Sequence, residues 1–465
     1  MPSIRSDSLF SKVTSQNKVF CENGSSLAFS FWDGILSNRR TIMKRHIAIL
    51  VVLSVSVLFV FGAGSAERAD KKVTLTIAGR DGAYGDSLQW AADAYHALHP
   101  EVSFEILKLS GSSLFEKSVI DMKSKTGTYD LVLIDDPNAP QFQEVGWLAN
   151  LDDLYAKKGL AVDSDFIKPA LNLGRYPYGE TGTLYTLPFA GNVELFAYRT
   201  DLFEKYGFGE LTTWTELLKA IKTIDANESG VDGVVFRGSK GNPIVTGFLP
   251  IFWAFGGEVL DGQGRVAINS PEGLAAMKYF LEMSKYAPEG VTMYQSAQVR
   301  DALYAGTAAV VPEVWPGWIG NLENEKESFV VGKVKVTKHP SEVQKSSPMI
   351  GAWLVAIPES SRQHDAAFEF MLFLTSYDVQ LAMSDAYGLP PSRVSVYSVA
   401  SQLEKYPWYD AQLDALQNSV ARPRSVKWKE IEDQLGSVLQ FAVMGELSAE
   451  KALSDVEKSI KALLK

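Results

Sequence analysis

From Val73 onward the chain alternates between two hydrophobic periods, and that alternation limits the folds open to it more than any other feature. VTLTIAG (73–79) sets apolar residues at every second position, as a half-buried strand does; SLQWAADAYHALHP (87–100) then repeats them at helical spacing and halts at a proline. VSFEIL (102–107) reads as a second strand, LFEKSVIDMKSKTG (114–127) as a second helix closed by glycine, and YDLVLID (129–135) as a buried strand. Strand and helix in turn predict an α/β domain around a largely parallel sheet.

The pattern changes at LYTLPFAGNVELFAYRTDLFEKYGF (184–208), where an extended segment from Leu184 through Tyr198 is long enough to pass from one domain to another. TTWTELLKAIKTI (212–224) is an amphipathic helix with Thr212 or Thr213 available as N-cap. Further helices are predicted at 243–255, 271–286 and 297–305, and another long β stretch at SPMIGAWLVAIPE (347–359). Residues 363–386 read as helical, YGLPPSRVSVY (387–397) as a proline-rich break, and the last 65 residues as helices. With no repeat and no flexible linker, two domains joined by several ordered crossings are expected.

Ahead of this region stands a segment of another kind. Met43-Lys44-Arg45-His46 is a basic start, and IAILVVLSVSVLFVF (47–61) is about as long as the apolar core of a signal peptide and short for a membrane span. Small residues follow in GAGSA, which fits cleavage after Ser65 or Ala66. Residues 43–66 are therefore expected to be a signal peptide with Met43 as the start, and 1–42 an upstream extension, the alternative being a cytoplasmic tail on an uncleaved anchor. The only cysteine, Cys21, falls in the discarded part, so the exported chain would have neither a disulfide nor the cysteine of a lipid anchor. That points to a soluble periplasmic protein.

The full chain carries a formal charge of −10. Without residues 1–66, 38 basic side chains stand against 52 acidic ones, a formal −14. Such a charge offers no long-range attraction to nucleic acid or an anionic membrane surface. With 46% hydrophobic and 22% charged residues in 465, the composition is that of a globular protein able to bury a full core.

Two catalytic patterns can be tested against the sequence. Gly85-Asp86-Ser87-Leu88 matches the nucleophile block of GDSL esterases, but their partner D-x-x-H lies late in the chain, and here that spacing occurs only at Asp93 to His96, one turn into the next helix. Asp86 or Ser87 as a helix cap is the simpler expectation. The five histidines, His46, His96, His99, His339 and His364, form no metal-ligand spacing, and neither a G-x-x-x-x-G-K-[ST] nor a G-x-G-x-x-G occurs. No metal, cofactor or catalytic residue is implied.

What recurs is an aromatic ring or a planar polar group at a strand end or turn: Tyr84, Asp135 and Asp136, Asn192 and Glu194, Trp253, Glu313 and Trp315, and Trp353. A sugar presents hydroxyls around its edge and C–H groups on its face, so such side chains together suit it. VVPEVWPGWIG (310–320) concentrates the pattern, setting two large rings, Trp315 and Trp318, on one turn that reads either as a buried strand end or as a platform for a flat ligand.

Five blocks, YDLVLIDDPNAPQFQEVGWLANLDDL (129–154), LPFAGNVELFAYRTDLFEKYGF (187–208), AGTAAVVPEVWPGWIGNL (305–322), GAWLVAIPESSRQHDAAFEFMLFLTS (351–376) and ARPRSVKWKEIEDQL (421–435), resemble in this order those of family 1 extracellular solute-binding proteins, the maltose-binding-protein-like sugar-binding subunits of ABC importers. The resemblance implies an α/β two-lobed periplasmic binding protein fold of class II type, with a hinge of crossing strands and an interlobe cleft. Lobe 1 would be 70–188 plus 352–389, and lobe 2 would be 190–351 plus 390–465. It further implies that Arg80, Asp81, Tyr84 and Asp136 face the cleft from lobe 1, Asn192 and Glu194 lie beside the hinge, and Trp253, Glu313 and Trp315 come from lobe 2. Trp353 would come from a third crossing and Arg422 from the C-terminal A-R-P-R block. Relatives often carry a tryptophan where this chain has Asn138, which leaves the stacking partner and the size of the sugar open. The implied partners are a small-molecule sugar and the transmembrane subunits of a permease, with the protein acting as a monomer. A binding protein of the same build for a glycerol-phosphate ester or a peptide, or a secreted glycoside hydrolase, would share much of this pattern.

Overall fold

The computed structural model describes residues 72–210 and 212–465. The signal segment 43–66, the extension 1–42, Cys21 and His46 lie outside the described residues.

The first strands form where the period-2 pattern runs: β1 (Val73–Arg80), β2 (Val102–Leu109) and β3 (Leu131–Asp135). β1 lies between β2 and β3 and is parallel to both. The sheet is completed by β6 (Thr186–Ala190) and β10 (Trp353–Ala356), in the order β2-β1-β3-β10-β6. β10 is antiparallel to β3 and to β6, so the sheet is mixed rather than largely parallel. The departure has a topological cause: β10 does not follow a crossover helix but returns from the region of a second sheet, and so enters in the opposite sense. A two-stranded ribbon of β4 (Arg175–Tyr176) and β5 (Thr183–Leu184) precedes β6.

The second sheet has three antiparallel strands, β8 (Val310–Val314), β7 (Leu195–Arg199) and β9 (Val334–Thr337), with β7 central. The long extended segment expected from Leu184 to Tyr198 is thus divided between the two sheets. The break falls at Gly191, where an added Cβ would sit 2.1 Å from the Pro391 carbonyl oxygen, so that only glycine fits the approach. Neighbouring segments run alongside: Val193 bridges Ile350, Met349 bridges Val420, and the Gly191 amide donates to Pro390 O at 2.9 Å.

Two groups of buried apolar residues follow from the two sheets. One centres on the five-stranded sheet, with Ile77, Leu133, Leu187 and Phe370. The other packs helices Trp214–Asn227, Asn242–Ala254, Pro271–Ser284, Trp428–Val443 and Ala449–Leu463 around Phe248, Phe252 and Trp428. Thr213 caps the first of these helices in a reciprocal capping box with Glu216.

Local departures from the sequence reading have physical reasons. The first helix starts at Ala83 rather than 87, capped by Gly82 at φ 67°, and ends at Leu98 before Pro100 is reached. Asp86 and Ser87 therefore lie inside the helix and cap nothing. The next helix, Gly111–Ser124, is closed by Lys125 in the left-handed region, not by Gly127. Residues 363–386 form two helices, His364–Leu374 and Tyr377–Tyr387, and the stretch at 347–359 holds a strand of four residues only. Among the described residues no helix is long and apolar enough to cross a membrane.

Candidate functional site

In an open α/β sheet, groups that meet ligands collect beyond the carboxyl ends of the parallel strands, where helix N-termini begin and side chains are freed from the ladder. At that edge β1 ends in Arg80 and Asp81, Tyr84 lies in the first turn of the following helix, and β3 ends in Asp135 with Asp136 beginning a one-turn 3₁₀ segment. β10 starts there as well, with Trp353 directly opposite Asp135 in the register. The Tyr84 and Trp353 rings are 5.4 Å apart between centroids, inclined by 41°, and both are half-buried. Asp135, Asn138, Gly111 and Trp353 line a narrow crevice at this edge, of about 10 Å³.

The two acids after Ile134 have opposite surroundings. Asp136 is fully buried; its Oδ1 accepts from the Arg422 guanidinium at 2.5 Å and its Oδ2 from Arg424 at 3.2 Å. Arg424 also donates to the carbonyls of Asp136 at 2.7 Å and Leu173 at 3.1 Å. Asp135 keeps 39% of its side-chain surface, and its nearest cation is Arg422 at 3.7 Å. Among the described residues nothing donates a hydrogen bond to its carboxylate. Loss of water around the group pushes its carboxyl up to about 7; Arg422 and Arg80 oppose the rise, and Asp136 and Glu432 add to it. Asp135 shares its narrow crevice with the Trp353 ring. Arg80 pairs with Asp81, its neighbour in sequence, on a more open surface.

A second cluster lies at the end of β8. Glu313 is fully buried, and its Oε1 accepts from Arg237, from Thr246 Oγ1 at 2.9 Å and from the Trp315 indole nitrogen at 2.9 Å. Among the described residues its Oε2 has no hydrogen-bond partner. The Trp315 ring lies over Gly351, where a Cβ would come within 2.6 Å of it. Trp318 is half-buried against the first core, with the Arg237 guanidinium 5.3 Å from its ring.

Glu194 and Asn192 stand between β6 and β7. Both Glu194 oxygens and the Asn192 amide oxygen are buried with no hydrogen-bond partner among the described residues. Burial first, and then the charge of Glu313, hold the Glu194 carboxyl well above the usual range. His339 approaches Glu194 Oε1 at 3.6 Å and donates from Nε2 to Pro312 O at 2.9 Å; burial lowers it to about 4. The imidazole is neutral at physiological pH.

The structure thus gathers Arg80, Asp81, Tyr84, Asp136, Trp353 and Arg422 at one edge, and Glu313 with Trp315 at another. Glu194 is tied to the second group by the Glu313 charge and to the first by that of Arg422. Trp253 is half-buried on the second core and makes no polar side-chain contact with the others. Sequence reasoning missed Arg237, Thr246, His339 and Arg424. Only Arg424 carried a local signal, as the second arginine of A-R-P-R, while the other three meet their partners across long sequence separations.

The catalytic pattern at 85–88 finds a structural use instead. Ser87 is fully buried and its Oγ donates to Tyr84 O at 2.9 Å. Among the described residues no group of three His, Cys, Asp or Glu side chains could hold a metal ion. A surface depression of about 640 Å³ lined by Arg300, Tyr304, Trp318 and Phe329 contains none of the predicted site residues.

Comparison with known proteins places this geometry. A mannitol-binding protein of Pseudomonas aeruginosa is 25% identical over 417 residues, covering 83% of this chain and 92% of the relative. Among solved structures, maltose-bound MalE3 of T. maritima is 27% identical with a TM-score of 0.73, spanning 84% of this chain and 100% of that one. An ABC transporter solute-binding protein of Agrobacterium radiobacter K84 in complex with ribitol is 26% identical with a TM-score of 0.74, over 84% of this chain and 98% of that one. The fold is that of the two-lobed sugar-binding proteins. The sequence profile described as bacterial extracellular solute-binding protein matches residues 81–381, and with most of its length so matched the chain belongs to that family.

Proposed function

We propose that this protein is the periplasmic carrier of an ABC importer, that it binds a neutral sugar or sugar alcohol between two lobes, and that it delivers the ligand unaltered to the transmembrane subunits of a permease. The lobes are those expected above, 70–188 plus 352–389 and 190–351 plus 390–465. The chain is exported by the segment 43–66 and works as a monomer.

One observation carries the choice of ligand. At the carboxyl edge of the five-stranded sheet two aromatic rings, Tyr84 and Trp353, flank polar groups, while the nearby arginines are already committed: Arg422 and Arg424 to Asp136, and Arg80 to Asp81. Rings favour the C–H face of a carbohydrate or the chain of a polyol. A phosphate ester is best held by an uncommitted cation, and Arg422 and Arg424 would first have to leave the buried carboxylate of Asp136. The names of the relatives, mannitol-binding, maltose-bound and ribitol-bound, support the same class.

Closure follows from differential contact. A ligand that touches both lobes stabilises the closed arrangement by the contacts the open one lacks. A ring stack contributes ~1 kcal/mol beyond area burial, and a hydrogen bond to a charged group about 1.5–3 kcal/mol. A few of each reach micromolar affinity, roughly −8 kcal/mol. In this reading Trp253 and Trp315 offer rings from lobe 2, and Asn192, Glu194 and Glu313 stiffen the hinge side of the site.

The test is a thermal-shift screen with mannitol, ribitol, maltose, other mono- and oligosaccharides and glycerol phosphate. A ligand at about 100 times its Kd adds roughly 2.7 kcal/mol to the folded state, so a sugar or polyol is expected to raise the melting temperature. A rise with glycerol phosphate alone, or release of reducing sugar from an oligosaccharide, would contradict the reading.

A further inference from the structure

Pro316 holds the residue before it extended, so Trp315 carries the line of β8 one position past Val314, with φ −109° and ψ 144°. Side chains two apart on extended backbone share a face. The Trp315 indole therefore meets Glu313, and its nitrogen donates to Oε1 at 2.9 Å. Arg237 and Thr246 Oγ1 reach the same oxygen. A carboxylate offers about two acceptor sites on each oxygen, so three donors leave Oε1 nothing for a ligand. Oε2 is buried against the helix Asn242–Ala254, where a Cβ at Gly247 would come within 3.2 Å of it. Glu313, which the family resemblance brings to the cleft from lobe 2, is instead fully enclosed.

We propose that Glu313 is a positioning residue: it holds the Trp315 indole by its edge, so that a ligand stacks on a ring whose plane is already set. This rests on the carbohydrate reading above, in which Trp315 offers a ring from lobe 2. The second constraint comes from Gly351, whose amide donates to Asn192 O at 3.0 Å and whose lack of a side chain leaves the ring its seat. With its edge bonded and one face seated, the ring loses the broad χ2 freedom of an aromatic side chain. It stays half-buried, which leaves surface to meet a ligand. A side chain ordered beforehand loses less freedom on binding, and affinity gains by that difference. Glu313 thus acts on affinity only through Trp315, unlike a residue that merely keeps the lobe folded.

Isothermal titration with D-mannitol, ribitol and maltose compares Glu313→Gln, which keeps an acceptor for the indole, with Glu313→Leu, which is of similar size and has none. Both take the carboxylate from Arg237, so the fall in melting temperature is shared and the difference in affinity reports the bond to Trp315. Wild type is expected to bind at least one of the three, Glu313→Gln to stay within about threefold of it, and Glu313→Leu to bind about fivefold more weakly or worse. Gly351→Ala crowds the ring from its seated face on backbone that is not left-handed, and is expected to weaken binding by a similar factor. In a Trp315→Ala background, neither Glu313→Leu nor Gly351→Ala should change affinity by more than about twofold. In the free protein the Trp315 indole N–H, assigned by its absence from the proton–nitrogen spectrum of Trp315→Phe, is expected to be protected from exchange in wild type and Glu313→Gln and unprotected in Glu313→Leu. Should Glu313→Leu not fold, Arg237→Leu/Glu313→Leu removes both charges and carries the same comparison. Glu313→Leu that weakens binding equally with and without the Trp315 ring, an equal loss in Glu313→Gln, or wild-type affinity in Trp315→Ala overturns this inference and leaves the carbohydrate reading standing. No heat from wild type with any of the three sugars overturns the carbohydrate reading and this inference with it.

Discussion

The ends of β3 and β8 each carry an acid beside a proline in sequence and a tryptophan beside it in space, yet they differ in what the acid is left to do. At β8 the acid is enclosed: Glu313 holds Arg237, Thr246 and Trp315, and Glu194 and a neutral His339 are buried beside it. At β3 the enclosing work falls to Asp136, which leaves Asp135 open beside Tyr84 and Trp353. With two acids in the turn, one holds Arg422 and Arg424 while the other keeps a carboxylate that receives no hydrogen bond among the described residues. The comparison teaches that a carboxylate at a strand end is read by its partners and not by its position.

The largest effect expected is on the enclosed side. Arg237→Ala strands the Glu313 charge in the interior, which costs ~3–5 kcal/mol of stability in urea unfolding; a loss below about 1 kcal/mol would mean that Glu313 does not depend on its cation. His339 gives the next effect, and its sign is fixed. Held at about 4 in the fold against an ordinary 6.5, it contributes stability that is present above 6.5 and is lost as pH falls toward 4. The difference in unfolding free energy between wild type and His339→Gln should therefore shift by about 3 kcal/mol between pH 7 and pH 4, at ~1.4 kcal/mol per unit. A difference that is flat across that window removes the buried neutral imidazole from the account.

Smaller effects fall on the rings. Trp353→Ala is expected to weaken sugar or polyol binding about tenfold, ~1.4 kcal/mol, by titration, and Trp315→Ala to do the same if its face also meets the ligand. A loss under threefold for Trp315→Ala assigns that ring to Glu313 and Gly351 alone, and sharpens the contrast between the two strand ends. Ser87→Ala should change least: about 0.5–1.5 kcal/mol of stability from the lost bond to Tyr84 O, with binding intact.

Much of the fold was legible because it is written in local periodicity. The β1 to β3 alternation, the capped helix after Thr213 and the long extended segment at 184–198 each follow from residues near in sequence. The antiparallel entry of β10 was not legible, since strand direction depends on where the chain returns from and leaves no mark in VTLTIAG or WLVA. The early start of the first helix was hidden because Gly82 and Gly85, poor helix formers, stand before the apolar repeat, although Gly82 serves as the cap. For the site, the residue types were visible and their division of labour was not. Asp135 and Asp136 are indistinguishable in a string; the 3₁₀ turn that follows directs one inward to Arg422 and Arg424, arginines almost three hundred positions away.

A structure of the complex with whichever of mannitol, ribitol or maltose raises the melting temperature most would test the central claim directly. The account predicts the ligand at the carboxyl edge of the five-stranded sheet, its C–H groups within about 4 Å of the Trp353 or Tyr84 ring and a hydroxyl ~2.5–2.7 Å from an Asp135 oxygen. A ligand seated in the depression beside Trp318 and Phe329, with Asp135 still in water, would contradict it.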